Sequence, residues 1–148
     1  GERPTVSSLQ PLEGRWSNRH ITDTQERGHV SHRSANEVPA EPVRAGSGTV
    51  RQVLIGPDEG PNFSMRRFTM EPGGGMPKHT NTVEHEQYVL GGAARIGLGD
   101  EVIEVSRGDV IFIPGGVPHW YESLGPEDFE FLCVVPNSPD EIRIVEGE

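Results

Sequence analysis

The sequence predicts an all-β domain, a barrel or sandwich built from short strands. Glycine and proline number 19 and 13 among the 148 residues, and both residue types disfavour helix interiors. From Thr49 onward, short apolar runs alternate with Gly, Pro and Asp at nearly regular intervals, which is typical of strands joined by tight turns. The length favours one domain, since most domains contain roughly 100–200 residues.

Residues 1–48 differ from the rest, and we interpret them as a flexible or extended N-terminal arm that precedes a domain at residues 49–148. The arm is polar and shows neither the period of a strand nor that of a helix. It contains His20, His29 and His32. A metal clip is one interpretation of these histidines, but we favour solvated side chains on a mobile segment.

The domain is predicted to contain about ten short strands. They are Thr49–Ile55, Asn62–Met70, a short one around Met76–His79, Glu84–Leu90, Ala93–Leu98, Glu101–Val105, Val110–Ile113, His119–Ser123, Phe129–Val135 and Ile142–Val145. Gly99 and Asp100 predict a two-residue hairpin turn, because glycine accepts the positive φ that such turns require. The run Gly73-Gly-Gly75 lacks the following residues that a phosphate loop needs, and we interpret it as a turn.

Charge and composition exclude several classes of function. The chain carries 13 Lys and Arg against 23 Asp and Glu, a formal charge of −10, which argues against nucleic acid or an anionic membrane as a partner. The single cysteine, Cys133, excludes an intrachain disulfide and fits a reducing compartment. No apolar run approaches the roughly 20 residues that span a bilayer, and no signal peptide pattern opens the sequence. We therefore expect a soluble, cytoplasmic protein.

Candidate metal ligands concentrate in residues 73–92. His79 and Asn81 share one face of a predicted strand, and His85 and Gln87 share one face of the next. If the two strands are neighbours, their side chains can converge, and imidazole pairs are common ligands of divalent metals. Two histidines six residues apart are a weak signal when taken alone.

A second segment strengthens this signal. It has the pattern Gly-x5-Pro-x-Gly-x2-His-x3-Ser, which runs from Gly108 through Pro114, Gly116 and His119 to Ser123. The pattern resembles the second motif of the cupins, which ends in Asn where this chain has Ser123.

The earlier segment resembles the first cupin motif. That motif begins with Gly-x5-His, as Gly73 and His79 do here, and ends in a Tyr-Val-Leu-x-Gly stretch, here closed by Gly92. The short interval from Gly92 to Gly108 is typical of small single-domain microbial cupins. The resemblance extends from about Thr49 to Val135.

The resemblance implies a double-stranded β-helix, in which two antiparallel sheets close into a small barrel around a metal. It assigns the metal ligands to His79, His85 and His119, with His85 standing where most cupins have Glu. Three neutral imidazoles suit a divalent ion of Fe, Mn, Zn, Ni or Cu. Asn81 replaces the family's second histidine; it either donates its carbonyl oxygen as a fourth ligand, hydrogen-bonds a metal-bound water, or marks a site that has lost its metal.

Other side chains are expected to complete the site. The period of a strand places Tyr121 inward beside His119, where a phenol orients substrate or donates a proton, or simply packs in the core. Gln87 is expected to bond a substrate oxygen or to hold an imidazole. Phe131 and Cys133 fall on the inward face of their strand, so both are expected to line the barrel.

An arginine is also expected in the cavity. The run Phe63–Met70 changes its apolar parity midway, which indicates a bulge. One of Arg66 and Arg67 then faces inward and pairs with a substrate carboxylate; we take Arg67 as the candidate.

From the resemblance we expect a metal-dependent enzyme that acts on a small molecule, most specifically a dioxygenase-like oxidoreductase that uses Fe or Mn. One alternative keeps the metal as a Lewis acid for an isomerase, lyase, cyclase or decarboxylase reaction. Another is a non-catalytic module that binds a sugar or a small acid. By analogy with cupins, which commonly pair through their sheets, we expect a homodimer.

Overall fold

The structure, a computed structural model, describes residues 29–146. The first 28 residues of the predicted arm, with His20, lie outside the described residues. Residues 29–33 contain no helix or strand and belong to a different unit from Ser34–Glu148, which contains all the elements described below.

Residues 34–146 form ten strands and one short 3-10 turn, Ala35–Glu37. The strands are β1 (Glu41–Pro42), β2 (Ser47–Ile55), β3 (Phe63–Asn81), β4 (His85–Gly91), β5 (Ala93–Leu98), β6 (Glu101–Ser106), β7 (Val110–Ile113), β8 (His119–Ser123), β9 (Phe129–Pro136) and β10 (Ile142–Ile144). The part of the chain that the structure describes contains no α-helix, and therefore no helix long and apolar enough to cross a membrane. The predicted all-β fold is confirmed.

Strand β3 is 19 residues long and joins the two halves of the fold. Its first part pairs with β2 and β9, and its second part pairs with β8 and β10. One half therefore has the order β1-β2-β3-β9-β4-β7 and the other has the order β10-β3-β8-β5-β6, with every pair antiparallel. Because both halves share β3, the ten strands form one continuous sheet.

The predicted turn at Gly73-Gly-Gly75 is wrong, because β3 continues through it. The chain changes partners there: Met70 pairs with Phe129 on β9, whereas Gly75 pairs with Glu122 on β8. Gly73 has a φ of 83°, a backbone conformation that residues with a Cβ rarely adopt. The glycines thus carry one strand from one half of the sheet to the other.

The predicted hairpin between β5 and β6 is confirmed. Leu98 pairs with Glu101 across the two-residue turn, and Gly99 has the positive φ, 60°, that this turn requires.

The barrel core contains a stack of aromatic rings that connects its two halves. The Phe131 ring on β9 is stacked on Phe68 of β3 at 5.1 Å and on Tyr121 of β8 at 5.3 Å between ring centroids. Such offset pairs add specific contact energy to the burial of apolar area. The stack fixes the plane of the Tyr121 ring and forms one wall of the interior cavity.

The residues from Ser34 to β2 contact the barrel. The β1 strand pairs with β2, and the Gln52 side-chain amide donates hydrogen bonds to the Ala35 and Val38 carbonyls at 2.9 and 2.8 Å. The predicted division after residue 48 falls inside β2.

Candidate metal centre

A cavity of about 110 Å³ lies inside the barrel. Eight of the predicted site residues line it: His79, Asn81, His85, Gln87, His119, Tyr121, Phe131 and Cys133. The structure therefore brings these side chains together from β3, β4, β8 and β9.

His79 and His119 form the centre of the site. They are paired residues of neighbouring strands β3 and β8, and their ring centroids are 4.2 Å apart. Each Nδ1 lies near the carbonyl oxygen two residues earlier, at 2.8 Å for Pro77 and 2.9 Å for Val117. A carbonyl can only accept, so each Nδ1 carries the proton and each Nε2 presents a lone pair, the tautomer of a metal ligand.

His85 approaches from the first residue of β4, with its ring centroid 5.6 Å from that of His119. Its Nε2 is buried without a hydrogen-bond partner, and its Nδ1 lies 3.1 Å from the Cys133 sulfur. With the proton on Nδ1, the ring donates to this sulfur and leaves the Nε2 lone pair for another ligand; with the proton on Nε2, Nδ1 accepts from the Arg66 Nη2 at 3.4 Å.

Burial keeps the imidazoles of His85 and His119 neutral. Desolvation, reinforced by the nearby Arg66 charge, lowers the pKa of His85 from 6.5 to about 3. Desolvation also lowers the pKa of His119, to about 4. Both rings are therefore uncharged near pH 7, the state in which imidazole binds a metal.

The orientation of the Asn81 amide is fixed by Asp140, which the sequence analysis missed. The Asn81 Nδ2 donates to one Asp140 carboxylate oxygen at 3.0 Å, and the other oxygen accepts from the Thr82 backbone N–H at 2.8 Å. A carboxylate only accepts, so the amide nitrogen faces Asp140 and Oδ1 is the free end. This oxygen is buried without a partner.

Gln87 and Tyr121 form a second buried polar pair. The Gln87 Nε2 donates to the Tyr121 hydroxyl at 2.7 Å, while its Oε1 is buried without a partner. Burial raises the pKa of the Tyr121 phenol, so the hydroxyl keeps its hydrogen. Because its oxygen already accepts from Gln87, that hydrogen is available to a group in the cavity.

Cys133 lies in the same layer of the sheet as Gln87 and Arg66, since it is the cross-strand partner of both. Its side chain is buried, and burial raises the pKa of its thiol. Cys133 is therefore a neutral thiol that contacts His85.

The structure corrects the predicted position of Arg67. Arg66 lines the cavity, whereas Arg67 bonds outside it to Gln52 at 2.7 Å and to Asn36 at 3.4 Å. The register between β3 and β9 is continuous from Phe63 onward, so no bulge shifts the parity on that side.

The signal for Arg66 was present in the sequence. Ser64, Phe68 and Met70 are buried, and Arg66 shares their even parity along β3. Phe63 misled the parity argument, because this large apolar side chain is 62% exposed.

The chemistry of the donors, imidazole nitrogens and amide oxygens, suits a divalent cation, but the rings are not spaced as ligands of one ion. Two imidazole nitrogens at about 2.1 Å from one metal, at about 90–110° to each other, hold their ring centroids about 4.6–5.3 Å apart. The observed separations of 4.2 and 5.6 Å lie on either side of this range. Within residues 29–146, no three His, Cys, Asp or Glu side chains form a complete metal-binding group. The donors that face the cavity are instead imidazole nitrogens together with the Asn81 and Gln87 amide oxygens.

Comparison with known proteins gives consistent matches. A sequence model of the cupin domain matches residues 66–135. An uncharacterized protein of Methanocaldococcus jannaschii is 36% identical over 67 residues, which is 44% of this chain and 54% of that protein. The chain thus spans about half the length of this curated relative.

Solved structures match over more of the chain. The polyketide cyclase RemF from Streptomyces resistomycificus is 33% identical and superposes with a TM-score of 0.74, over 81% of this chain and 88% of that one. A cupin-2 domain protein of Rhodospirillum rubrum is 24% identical, with a TM-score of 0.67 over 80% of this chain and 81% of that one.

Proposed function

Because the chain belongs to the cupin domain family, we propose that it is a metal-dependent enzyme that acts on a small carbonyl compound in a cyclase-type reaction. One observation carries this proposal: three polar atoms of residues that line one cavity, the Oδ1 of Asn81, the Nε2 of His85 and the Oε1 of Gln87, are buried with no hydrogen-bond partner among the described residues. Unsatisfied buried acceptors are costly. A bound cation would satisfy those nearest to it.

The proposed ligands are the Nε2 atoms of His79, His119 and His85, with the Asn81 Oδ1 as a weaker fourth. The ion is one of Fe, Mn, Zn, Ni or Cu. A bound divalent ion would act as a Lewis acid on a substrate carbonyl oxygen. This proposal requires no ionised carboxylate among the ligands.

The proposed role of Tyr121 is to donate a hydrogen bond to the substrate. Gln87 holds the phenol oxygen as an acceptor, and the stacked Phe131 ring fixes the ring plane. The hydroxyl hydrogen is therefore available to a substrate in the cavity that Tyr121 lines. A donor held in place before reaction stabilises negative charge that develops on a carbonyl oxygen.

The likeness to RemF supports a cyclase rather than another reaction class. It is a polyketide cyclase, and polyketides carry several enolisable carbonyl groups. A cavity of about 110 Å³ is smaller than the roughly 150 Å³ that holds one benzene ring. We therefore propose that only the reacting end of a longer substrate enters the barrel.

A dioxygenase-like oxidoreductase is the second candidate. The observation that favours it is that three imidazoles, those of His79, His85 and His119, line the cavity; as the metal ligands they would leave open positions on Fe or Mn for substrate and oxygen.

The metal is tested first. Protein purified without a His-tag or chelating resin is expected to contain about one divalent ion per chain by elemental analysis. His119→Gln is expected to lose this ion, whereas His32→Gln, at an exposed histidine, keeps it. Metal-free wild-type protein, together with unchanged small-ligand affinity in His85→Ala, would contradict the proposal and favour a non-catalytic binding module.

The reaction class is tested next, with a poly-β-ketone as the probe substrate. A cyclase converts it without oxygen, and Tyr121→Phe lowers kcat more than it raises KM. Turnover that consumes oxygen and stops without it would refute the cyclase in favour of the dioxygenase-like candidate.

A further inference from the structure

The cavity contains more positive charge than its own residues neutralise. Two arginines, Arg51 and Arg66, line it, and no Asp or Glu does so among the residues that the structure describes. Both arginines are partly buried, with 39% of the Arg51 side chain exposed, and guanidinium groups with no carboxylate facing them in a cavity attract an anion. We propose that Arg66, assisted by Arg51, forms a subsite for the carboxylate of a small organic acid.

Among the residues that the structure describes, Arg66 has only weak partners. Its Nη2 donates to the Cys133 sulfur at 3.3 Å and lies 3.4 Å from the His85 Nδ1, and its Cζ lies 5.1 Å from the centroid of the Phe68 ring. Its Nε is buried with no hydrogen-bond partner. Within residues 29–146, no carboxylate oxygen lies within 4.0 Å of this guanidinium.

Arg51 repeats this pattern on β2. Its Nε is also buried without a partner, and its one ion pair within residues 29–146, with the exposed Glu41, is long at 3.9 Å. Guanidinium donors bind carboxylates in pairs of parallel hydrogen bonds. The free Nε of each arginine is one donor of such a pair.

The rest of the cavity indicates what kind of acid fits. Its walls include apolar side chains, with Phe68 and Phe131 inside and Ile142 and Ile144 on β10, and its volume is about 110 Å³. An acid with a short apolar chain matches both. Binding of the acid does not depend on the proposed function. The inference rests on the proposed function only where it identifies this acid as the enzyme's substrate, or as the reacting end of that substrate.

The test compares butanoate with the uncharged butanamide, which has nearly the same shape. Binding to the full chain is measured by calorimetry, after treatment with EDTA and again with Zn²⁺. Butanoate is expected to bind more tightly than butanamide, and Arg66→Gln is expected to weaken butanoate binding about 10- to 100-fold. Arg67→Gln removes the same charge from the neighbouring residue outside the cavity and is expected to change the affinity less than about twofold.

Two results would overturn the inference: equal binding of butanoate and butanamide by the wild type, or equal weakening by the two arginine variants. Nitrogen NMR of the wild type provides a readout that needs no variant to fold. Butanoate is expected to shift the Nε–H signal of Arg66, and butanamide is not. An Arg66 signal that does not move with butanoate would likewise refute the subsite.

The same measurements separate this inference from the proposed function. Arg66-dependent binding by a chain that never retains metal would support the subsite and contradict the enzyme. Stoichiometric metal together with Arg66-independent butanoate binding would support the metal centre and contradict the subsite.

Discussion

Asp140→Asn is expected to reverse the Asn81 amide without removing any side-chain volume. The wild-type carboxylate accepts from Asn81 on one oxygen and from the Thr82 and Val83 backbone N–H groups on the other, the last at 3.3 Å. An asparagine at 140 keeps its own oxygen on the backbone donors and turns its NH2 group toward Asn81. Asn81 then rotates to accept, which places its NH2 group where its free oxygen was.

This rotation replaces an acceptor in the cavity with a donor, which repels a cation. Loss of a group that orients a metal ligand typically costs about 10–100-fold in metal affinity, which corresponds to about 1.4–2.7 kcal/mol. The fold is affected less, because the backbone hydrogen bonds of Thr82 and Val83 are kept. We expect a loss in unfolding free energy of about 1 kcal/mol, the net value of one hydrogen bond.

The assay is Zn²⁺ calorimetry on the EDTA-treated full chain. Asp100→Asn, in the exposed β5–β6 turn, makes the same change of charge away from the cavity and serves as the control. If the effect acts through Asn81, the double variant of Asp140→Asn and Asn81→Ala binds no more weakly than Asn81→Ala alone. Zn²⁺ affinity equal to wild type in Asp140→Asn, or additive losses in the double variant, would refute the reasoning.

Three further outcomes follow from the geometry. Burial lowers the pKa of His85 to about 3, so between pH 6.5 and 3 the unfolded chain binds a proton that the folded chain does not. Chemical denaturation should therefore show the free energy of unfolding decreasing, as the pH is lowered below 6.5, by up to about 1.4 kcal/mol per pH unit from this group. His85→Gln should make this decrease shallower. Tyr121→Phe leaves the Gln87 amide without its hydroxyl acceptor and should lower the unfolding free energy by about 1–3 kcal/mol; an unchanged urea midpoint would contradict that hydrogen bond. At Gly75 an added Cβ would overlap the Tyr121 backbone carbonyl, so Gly75→Ala should lower the free energy of unfolding by about 1–3 kcal/mol. Gly91→Ala is the control, because its Cβ would meet only one side-chain atom, at 3.8 Å. It should lower the free energy of unfolding by less than half as much in the same urea titration.

Most of the fold was predictable because strand periodicity and turn residues are local signals. The β9 segment shows this: its predicted alternation places Phe129, Phe131 and Cys133 inside, and each of them is at most 1% exposed. Three predicted strands, Ala93–Leu98, Val110–Ile113 and His119–Ser123, agree at both ends with the observed ones. The resemblance to cupins is confirmed by the family match over residues 66–135.

The remainder depends on contacts between distant parts of the chain. Asp140 holds Asn81 from 59 positions away, and no local pattern identifies such a partner. The continuation of β3 through Gly73 depends on its change of partner strand from β9 to β8, and no pattern in the neighbouring residues predicts this change. The ligand roles, the homodimer and the cytoplasmic location remain predictions.

The length of β3 has a consequence for how the sequence of this protein can vary. Arg66 and His79 lie on the same strand, on opposite sides of its glycines. Removing one residue at Gly74 would turn His79 and Asn81 to the outer face, because successive side chains alternate, while the part of the strand before Gly73 kept its register with β9. Natural variants of this segment are therefore expected to differ by substitution. An insertion or deletion of a single residue would leave the barrel folded but would move His79 and Asn81 out of the cavity that Arg66 lines.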